Sequence, residues 1–213
     1  MVPPGGSEEA FEHYFSAQPK AAARRREFRF LYRGEMLRFE TDSSVFASHG
    51  LDPGTALLVP EIDPGPTDRI LDLGCGWGPI GTAAARAAPS GHVVMTDVNR
   101  RAILLARRNL RTNRIPNAEV RAGSLFEPVG SEEFQMILTH PPFHAGRPLI
   151  LRLLTEAPAH LTDSGRLLLV GKGSQGIRYY QQWLEEHWPG PVSVRARGGG
   201  YRVLEARRAR LQP

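Results

Sequence analysis

Three things are scarce in this sequence: cysteine, lysine and long apolar runs. Cys75 is the only cysteine among 213 residues, so no disulfide can form within the chain, and the sequence argues against a metal site built from thiolates. No apolar run reaches the roughly 20 residues that a membrane-spanning helix needs, and the first residues lack the basic start and apolar middle of a secretory signal. These absences predict a cytoplasmic protein with no membrane association and no bound metal.

Lysine is nearly absent, with Lys20 and Lys172 the two in the chain, so the positive charge is carried by arginine. Lysine and arginine together number 27 against 22 aspartates and glutamates, a formal net charge of +5. A surplus of this size is compatible with binding to nucleic acid. An arginine-, proline- and alanine-rich composition is equally typical of a genome with high GC content, and composition leaves both explanations open.

From residue 68 onward, strand-like and helix-like segments alternate, which predicts a parallel sheet with helices on both faces. The strand-like runs are Arg69–Leu73, His92–Asp97, Ala118–Ala122 and residues 135–139 and 166–171, and the helical patterns cover residues 78–88, 100–113, 147–160 and 176–188. Two last runs, PVSVRAR and YRVLEAR, have only a glycine triplet between them, which leaves no room for a helix. We therefore predict an α/β fold: a doubly wound, Rossmann-like, seven-stranded and mainly parallel sheet that ends in an antiparallel hairpin.

The first 60 residues follow a different pattern. Residues 8–16 indicate a short helix, and the alternating segment FRFLYRGEMLRFET predicts a β-hairpin. Residues 43–62 indicate a loop that leads into an apolar run, and residues 60–66, rich in proline, glycine and aspartate, indicate a linker. The sequence thus predicts an N-terminal extension, residues 1–60, followed by the main domain, residues 61–213.

The most informative segment is RILDLGCGWGPIG, residues 69–81. A strand, a glycine-rich turn and a helix of small residues follow one another, the layout that binds a nucleotide-like ligand at a helix N-terminus. Gly74, Gly76 and Gly78 leave room for the ligand because they carry no side chain. Asp97 ends the next strand-like run, where its carboxylate would accept hydrogen bonds from a ribose. In isolation, Asp97 would be interpreted as the cap of the following helix; the glycine turn upstream at the right spacing favours cofactor binding instead.

Charge distinguishes between two adenosine-containing cofactors. The same turn satisfies the GxGxxG pattern of dinucleotide-binding proteins. Asp72, however, is expected beside the position that a pyrophosphate takes in dehydrogenases, and a carboxylate there repels a dianion. S-adenosylmethionine carries an ammonium and a sulfonium instead of phosphates, so Asp72 favours it as the cofactor over NAD.

Beyond the glycine turn, several segments together resemble one family. They are HYFS (residues 13–16), VFASHGLDPGTALL (45–58), DLGCGWGPIG (72–81), PPFHAG (141–146) and GYRVLEARR (200–208). The combination resembles the small-domain family of class I S-adenosylmethionine-dependent methyltransferases, whose best-known members act on guanine in 16S ribosomal RNA. The resemblance implies the class I fold, S-adenosylmethionine as cofactor, and a pocket-covering loop that includes Phe46, Ser48, Gly54 and Thr55.

The resemblance also implies how adenine is held. After the third strand of the main domain, the family usually carries an aspartate or asparagine that binds the adenine amine. The matching residue here is Ser124, which is shorter and uncharged, while Leu125 is suited to packing on the adenine face. We expect adenine to bind with altered polar contacts.

The segment THPPFH, residues 139–144, matches the family's catalytic motif with one departure. The family pattern is asparagine-proline-proline-aromatic, and it serves the methylation of planar exocyclic nitrogens. The asparagine oxygen and the next proline's carbonyl accept the two amine hydrogens, while the aromatic ring stacks on the base. The resemblance implies catalytic roles for His140, Pro141, Pro142 and Phe143. The loop position of His144 predicts an exposed side chain, which either contacts the substrate or is a plain surface histidine.

His140 stands where the family has asparagine. A neutral imidazole can accept one hydrogen bond, and an imidazolium can accept none. Three possibilities follow: an active enzyme that loses rate in acid, an enzyme for a different target, or a weakened RNA-binding module that keeps its cofactor.

RNA is the expected substrate and partner. The arginines that could contact phosphate are Arg24, Arg25 and Arg26, then Arg100, Arg101, Arg107, Arg108, Arg111 and Arg114 in one helix, and Arg207, Arg208 and Arg210 near the C-terminus. We expect the first three to bind substrate, because arginines along an exposed helix face more often only solvate it.

Other functions remain open at this point. Methylation of a glutamine side chain in a protein involves a planar nitrogen too, and a non-catalytic RNA module would need no asparagine. Family members that act on ribosomal RNA often carry two copies of the domain, whereas this sequence has one. We expect a monomer or a homodimer that acts on ribosomal RNA or on a ribosomal particle.

Overall fold

The computed structural model describes residues 25–42, 47 and 50–209, except for the side chain of Arg25. An antiparallel hairpin comes first, in which strand β1 (Arg25–Tyr32) pairs with strand β2 (Glu35–Asp42). Its two-residue turn has φ angles of 48° at Arg33 and 82° at Gly34, a left-handed geometry that matches the twist of paired strands. The predicted hairpin is confirmed. The helix predicted at residues 8–16 lies outside the described residues.

A seven-stranded sheet forms the centre of the molecule. Its strands are β3 (Arg69–Leu73), β4 (His92–Asp97), β5 (Ala118–Ala122), β6 (Phe134–Thr139), β7 (Leu161–Lys172), β8 (Val192–Gly198) and β9 (Tyr201–Arg207), in the order β5-β4-β3-β6-β7-β9-β8. Strands β3 to β7 run parallel, and β9 runs antiparallel to both of its neighbours. The predicted fold class, including the C-terminal hairpin, is confirmed.

Five α-helices accompany the strands within the described residues: α1 (Pro53–Leu58), α2 (Pro79–Ala87), α3 (Arg100–Thr112), α4 (Arg147–Glu156) and α5 (Ile177–His187). Helix α4 is shorter than predicted. A 3-10 turn, Ala157–His160, replaces its last turn, because Pro158 has no N–H to continue the α-helical hydrogen bonds. Strand β7 then begins at Leu161 rather than at residue 166.

Helix α1 corrects the prediction that residues 43–62 form a loop and an apolar run. Asp52 caps this helix, since its Oδ1 accepts a hydrogen bond from the backbone N–H of Gly54 at 2.7 Å. Pro53 occupies the first helical position, where a missing N–H costs nothing. An acid followed by proline is a helix start signal, so the Asp52-Pro53 pair was the readable clue. The helix packs against β7 and β9.

The strand order reverses beside β3. The chain moves outward from β3 to β4 and β5, then returns to place β6 on the other side of β3. At such a switch point the loops after neighbouring strands diverge and leave a crevice at the carboxyl ends of the strands. The fold therefore places the loops after β3 and β6 on either side of one opening.

Asn109 of α3 and Asn113, which caps the end of that helix, fix the hairpin to the main sheet domain. The side chain of Asn109 accepts from the Glu40 N–H at 2.7 Å and donates to the carbonyls of Glu40 and Trp77 at 2.9 and 2.8 Å. Asn113 accepts from the Arg38 N–H at 2.8 Å and donates to the Arg38 carbonyl at 2.6 Å. The two amides satisfy the edge of β2 as a paired strand would, and Asn109 links it to the glycine turn.

The hydrophobic core spans the predicted boundary at residue 60. Phe39 and Leu58 belong to the same buried cluster as Ile62, Ile70 and Trp77. The division into residues 1–60 and 61–213 remains a prediction. In the part of the chain that the structure describes, no helix has the length and apolar character needed to cross a membrane.

Candidate active site

A cleft opens at the carboxyl ends of β3, β4 and β6 and encloses about 1120 Å³, counting the part open to solvent. Most of the predicted site residues line it: Thr55, Gly74, Gly76, Asp97, Ser124, Leu125, His140, Pro141, Pro142, Phe143 and His144. The structure places three others away from the lining: Asp72, Gly78 and Arg26.

The glycine turn forms an open cradle at Gly74 and Gly76. Both have left-handed φ angles, 78° and 56°, and a Cβ on either would meet no atom within 4 Å. The space beside their α-carbons is therefore available to a ligand. Gly78 serves a different purpose. It precedes helix α2 with φ 96°, and a Cβ there would lie 3.0 Å from Met95, so its missing side chain permits packing between turn and strand.

Asp72 lies beneath the turn and is fully buried. Its Oδ2 accepts from the backbone N–H of Gly81, in the first turn of α2, at 2.7 Å, and its Oδ1 has no hydrogen-bond partner among the described residues. Burial raises the pKa of Asp72 to about 7, against the opposing effect of the Gly81 hydrogen bond. The expectation that the Asp72 carboxylate lies beside the ligand is thus corrected, because Asp72 is near the end of β3 and its side chain is buried in the core.

Asp97 supplies the carboxylate at the cleft surface. Its Oδ2 accepts from the Gly76 N–H and its Oδ1 from the Asn99 N–H, both at 2.8 Å. Burial raises the pKa of Asp97, and these backbone N–H groups oppose the rise. Helix α3 is capped by Asn99, whose side chain accepts from the Arg101 N–H at 2.9 Å. Asp97 is therefore not the helix cap, and with backbone hydrogen bonds from Gly76, Val98 and Asn99 its carboxylate still has acceptor capacity for a ligand.

Ser124 and Leu125 form the wall of the cleft after β5. Leu125 has φ 46°, a left-handed conformation that is rare for a bulky side chain and costs about 1–3 kcal/mol. Strain of this kind persists where the surrounding structure enforces it, and here it directs an apolar side chain into the cleft wall.

His140 follows β6, whose end is tied to β3 by a 2.8 Å hydrogen bond from the Thr139 hydroxyl to the Leu73 carbonyl. The His140 side chain is only 5% exposed. Its Nδ1 lies 3.2 Å from Oγ1 of Thr55 and 3.5 Å from Oδ1 of Asp52. Burial lowers the pKa of His140 and the Asp52 carboxylate partly opposes this, so the imidazole is neutral at neutral pH.

Two residues at this site were missed by the sequence reasoning. Asp52 is the cap of α1, and Tyr201 of β9 forms a side-chain hydrogen bond to it. The ring of Tyr201 meets the ring of His140 edge-on, with centroids 6.3 Å apart. Gly54 allows this packing, since a Cβ there would lie 2.8 Å from the Tyr201 ring and 2.9 Å from the His140 ring. Asp52 had a signal in the Asp-Pro helix start. Tyr201 had none, because it is 61 residues away in the sequence.

The loop after β6 is shaped by its own carbonyls. The Phe143 N–H donates to the Pro141 carbonyl at 2.9 Å, which leaves that oxygen a second lone pair. The half-buried Phe143 ring lies against Gly171, where a Cβ would come within 2.5 Å of it, and 5.6 Å from the Tyr180 ring. His144 is exposed and lines the cleft, as predicted.

The arginines are mostly engaged within the protein. Arg107 donates to the Val120 carbonyl at 2.8 Å, Arg108 pairs with Glu40 at 2.7 Å, and Arg207 pairs with Glu205 at 2.7 Å. Arg26 is exposed on β1. Arg24, Arg210 and the side chain of Arg25 lie outside the described residues. Among described residues, no cluster of three or more histidine, cysteine, aspartate or glutamate side chains could hold a metal.

The strand order, the glycine cradle at the switch point and the proline loop after β6 define a class I S-adenosylmethionine-dependent methyltransferase. The sequence pattern of the methyltransferase small domain matches residues 36–205. The chain belongs to this family of methyltransferases, and the resemblance found in the sequence is confirmed.

Relatives and solved structures agree with this assignment. The uncharacterized protein YbxB of Bacillus subtilis is 34% identical over 92% of this chain and 98% of its own length. Ribosomal RNA small subunit methyltransferase C of Ectopseudomonas mendocina is 38% identical over 77% of this chain and 49% of its own length. The structure of the T. thermophilus 16S rRNA N2 methyltransferase RsmC, in complex with AdoMet and guanosine, has a TM-score of 0.75 and 26% identity over 90% of this chain and 52% of that one. The chain thus spans about half the length of these ribosomal RNA methyltransferases.

Proposed function

We propose that this chain methylates an exocyclic amine of a base in small-subunit ribosomal RNA, with N2 of guanine as the target atom. The observation that carries the proposal is the position of His140 and Pro141 in the same cleft as the Gly74 and Gly76 cradle. Hydrogen-bond acceptors for an amine then lie beside the place for a methyl donor. The names of two similar proteins, which specify 16S or small-subunit ribosomal RNA, support the choice of substrate.

The residues of the cleft fit S-adenosylmethionine. The glycine cradle leaves space for the methionine part, Asp97 has acceptor capacity for ribose hydroxyls, and Leu125 offers an apolar surface for adenine. The buried Asp72 carboxyl, whose Oδ1 has no partner among the described residues, suits a cationic ligand because a nearby positive charge favours its ionised form, and that ionised form opposes a pyrophosphate. When bound, this cofactor supplies an electrophilic methyl group on a positively charged sulfur.

The chain's own contribution is to prepare the nitrogen. The lone pair of an exocyclic amine is delocalised into the ring, so the amine is a poor nucleophile until it becomes tetrahedral. Acceptors that hold both hydrogens favour that change. In our proposal the neutral His140 imidazole accepts one hydrogen and the free lone pair of the Pro141 carbonyl accepts the other. Phe143 packs against the base, and the cleft would hold the nitrogen within reach of the methyl group that the bound cofactor supplies.

His140 also supports a second candidate function, a weakened RNA module that binds the cofactor with little turnover, because the family's asparagine is replaced. Methylation of a protein glutamine is a third candidate with the same acceptor chemistry. The exposed Arg26 and its neighbours Arg24 and Arg25 remain our proposed contacts to RNA phosphate. A cytoplasmic location and a monomeric or homodimeric state remain predictions.

The experiment is methyl transfer from labelled S-adenosylmethionine by the purified full chain. We expect label in small-subunit RNA or in the small ribosomal particle taken from cells that lack this protein, and none in a glutamine-containing release-factor peptide. His140→Ala should lower the rate about a hundredfold, since one transition-state hydrogen bond of this kind is worth about 2.7–4 kcal/mol. Label in the peptide alone would establish the protein substrate, and cofactor binding without label in any acceptor would establish the module.

A further inference from the structure

We propose that Asp52 is a positioning residue for His140: its carboxylate keeps the proton of the neutral imidazole on Nδ1, so that Nε2 is the nitrogen that accepts a hydrogen bond from the substrate amine. The identity of that amine depends on the proposed function. The tautomer of the His140 imidazole does not.

The carboxylate of Asp52 is surrounded by donors. Its Oδ1 accepts from the Gly54 N–H at 2.7 Å, and the Tyr201 hydroxyl forms a hydrogen bond to the same side chain. Nδ1 of His140 is a third neighbour of this side chain and lies 3.5 Å from Oδ1. An ionised carboxylate can only accept, so the third neighbour is favourable only if Nδ1 carries a proton. With no proton there, a nitrogen lone pair would face a negative oxygen.

Thr55 completes the arrangement without deciding the tautomer. Its Oγ1 lies 3.2 Å from Nδ1 of His140, and a hydroxyl can donate or accept. The negative charge of Asp52 therefore determines the direction of this contact: Nδ1–H donates to the hydroxyl or to the carboxylate. Thr55 keeps the ring in place and Asp52 sets the location of its proton.

Within residues 25–42 and 50–209, the other charged groups near the ring do not compete with Asp52. Tyr201 is neutral, since burial and the hydrogen bond to Asp52 raise its pKa. The ammonium group of Lys172 lies over the ring of Tyr201, with its Nζ 5.6 Å from the ring centroid. Asp97 lines the same cleft but belongs to β4. Among the described residues, the carboxylate that lies within ion-pair distance of the His140 imidazole is that of Asp52.

The consequence is that a histidine can stand where the family has asparagine. An asparagine oxygen is an acceptor in any environment, whereas an imidazole nitrogen is one only in the correct tautomer. Asp52 selects that tautomer. Beside the asparagine of the family's motif, an aspartate would not have this role, because asparagine has no tautomers.

The test combines a spectroscopic measurement with a double-mutant cycle. Nitrogen NMR of the full chain, with histidine labelled, reads the proton position of His140 directly, and His140→Asn identifies its signals. We expect the Nδ1–H form in the wild type and a mixture or the Nε2–H form in Asp52→Asn. Asparagine caps a helix as well as aspartate does, so this variant should keep α1. Asp163→Asn, an exposed aspartate outside the cleft, is the matched control and should change neither the spectrum nor the rate.

The rate measurements separate positioning from structure. Asp52→Asn should lower kcat about tenfold or more with little change in KM for S-adenosylmethionine, and should move the acid limb of the pH profile to lower pH because a charge that favours the imidazolium is gone. In a His140→Asn background the same substitution should cost less than about twofold, because the residue on which it acts is absent. Equal losses in both backgrounds, or an Nε2–H imidazole in the wild type, would overturn the inference. Failure of the wild type to methylate RNA would instead reject the proposed function and leave the NMR result to decide the tautomer.

Discussion

The buried carboxylate of Asp72 holds the backbone N–H of Gly81 at 2.7 Å and thereby caps helix α2 from the strand beneath it. The cap of α2 in the chain, Gly78, has no side chain to do this. Because Asp72 is fully buried, its second oxygen is left without a partner among the described residues. One residue thus stabilises the start of the helix and places a buried carboxyl oxygen without a hydrogen-bond partner under the cofactor cradle.

This relationship predicts an unusual pH dependence of stability. Burial raises the pKa of Asp72 to about 7, above the value of about 3.9 in an unfolded chain. Between these two pH values the folded state binds more protons than the unfolded state. The contribution of Asp72 to the free energy of unfolding is therefore fully present below pH 4 and is lost as the pH rises to about 7. Thermal unfolding of the wild type and of Asp72→Asn between pH 5 and 8 measures it. The wild type should lose more stability over this range than the variant, and identical slopes would contradict the assignment.

Asp97 should be the main polar anchor of the cofactor. Asp97→Asn places an amide N–H against the Gly76 or Asn99 N–H and removes the charge that favours ribose hydroxyls, so we expect a ten- to hundredfold loss of affinity, about 1.5–3 kcal/mol. Calorimetry with S-adenosylmethionine measures this. NAD should not bind to the wild type, and Asp163→Asn should bind the cofactor normally. Unchanged affinity in Asp97→Asn would show that the carboxylate only closes the turn.

Gly54 should be essential for the placement of His140. Its backbone is helical and tolerates alanine, but the added Cβ would lie 2.8 and 2.9 Å from the rings of Tyr201 and His140. One of these buried rings must move. We expect Gly54→Ala to lower kcat about tenfold or more while the cofactor affinity changes little, since displacement of a catalytic group by less than 1 Å is costly. Gly173→Ala, at an exposed glycine where the added Cβ would make only an ordinary 3.7 Å contact with the Gly200 carbonyl, is the control for a glycine substitution and should keep wild-type kcat. A fully active Gly54→Ala enzyme would mean that the ring position is not critical.

The rate of methyl transfer should fall in acid. Burial lowers the pKa of His140 below its ordinary value of 6.5, and only the neutral ring accepts a hydrogen bond. The rate should therefore be level between pH 7 and 8 and fall as the pH drops through that lowered pKa. In His140→Asn the limb should disappear, because asparagine does not titrate. A limb that persists unchanged in His140→Asn would assign it to another group.

The regular part of the fold could be predicted because local patterns specify it. Strand-like runs such as His92–Asp97, which alternate with helical segments, predicted the parallel strands. The glycine triplet before β9 predicted the antiparallel hairpin. Helix α1 was missed because Pro53 and Gly54 indicate a loop in composition, whereas the Asp52 cap and the packing on β7 and β9 stabilise a helix.

The site could be predicted only where one continuous segment carries it. Gly74 and Gly76 share a turn with a recognisable spacing, and that turn lines the cleft; their binding of the cofactor stays a prediction. The burial of the Asp72 side chain was not predicted, because it depends on which face of the sheet the side chain points to. The contacts of His140 with Asp52 and Tyr201 join three distant segments, and no spacing in the sequence specifies them.

The most direct test of the account is mass spectrometry of ribosomal RNA nucleosides from cells that lack this protein. We predict that one N2-methylguanosine disappears from small-subunit RNA, returns when the wild-type chain is restored, and does not return with His140→Ala. Small-subunit RNA with unchanged methylguanosine in the deletion strain would contradict the central claim.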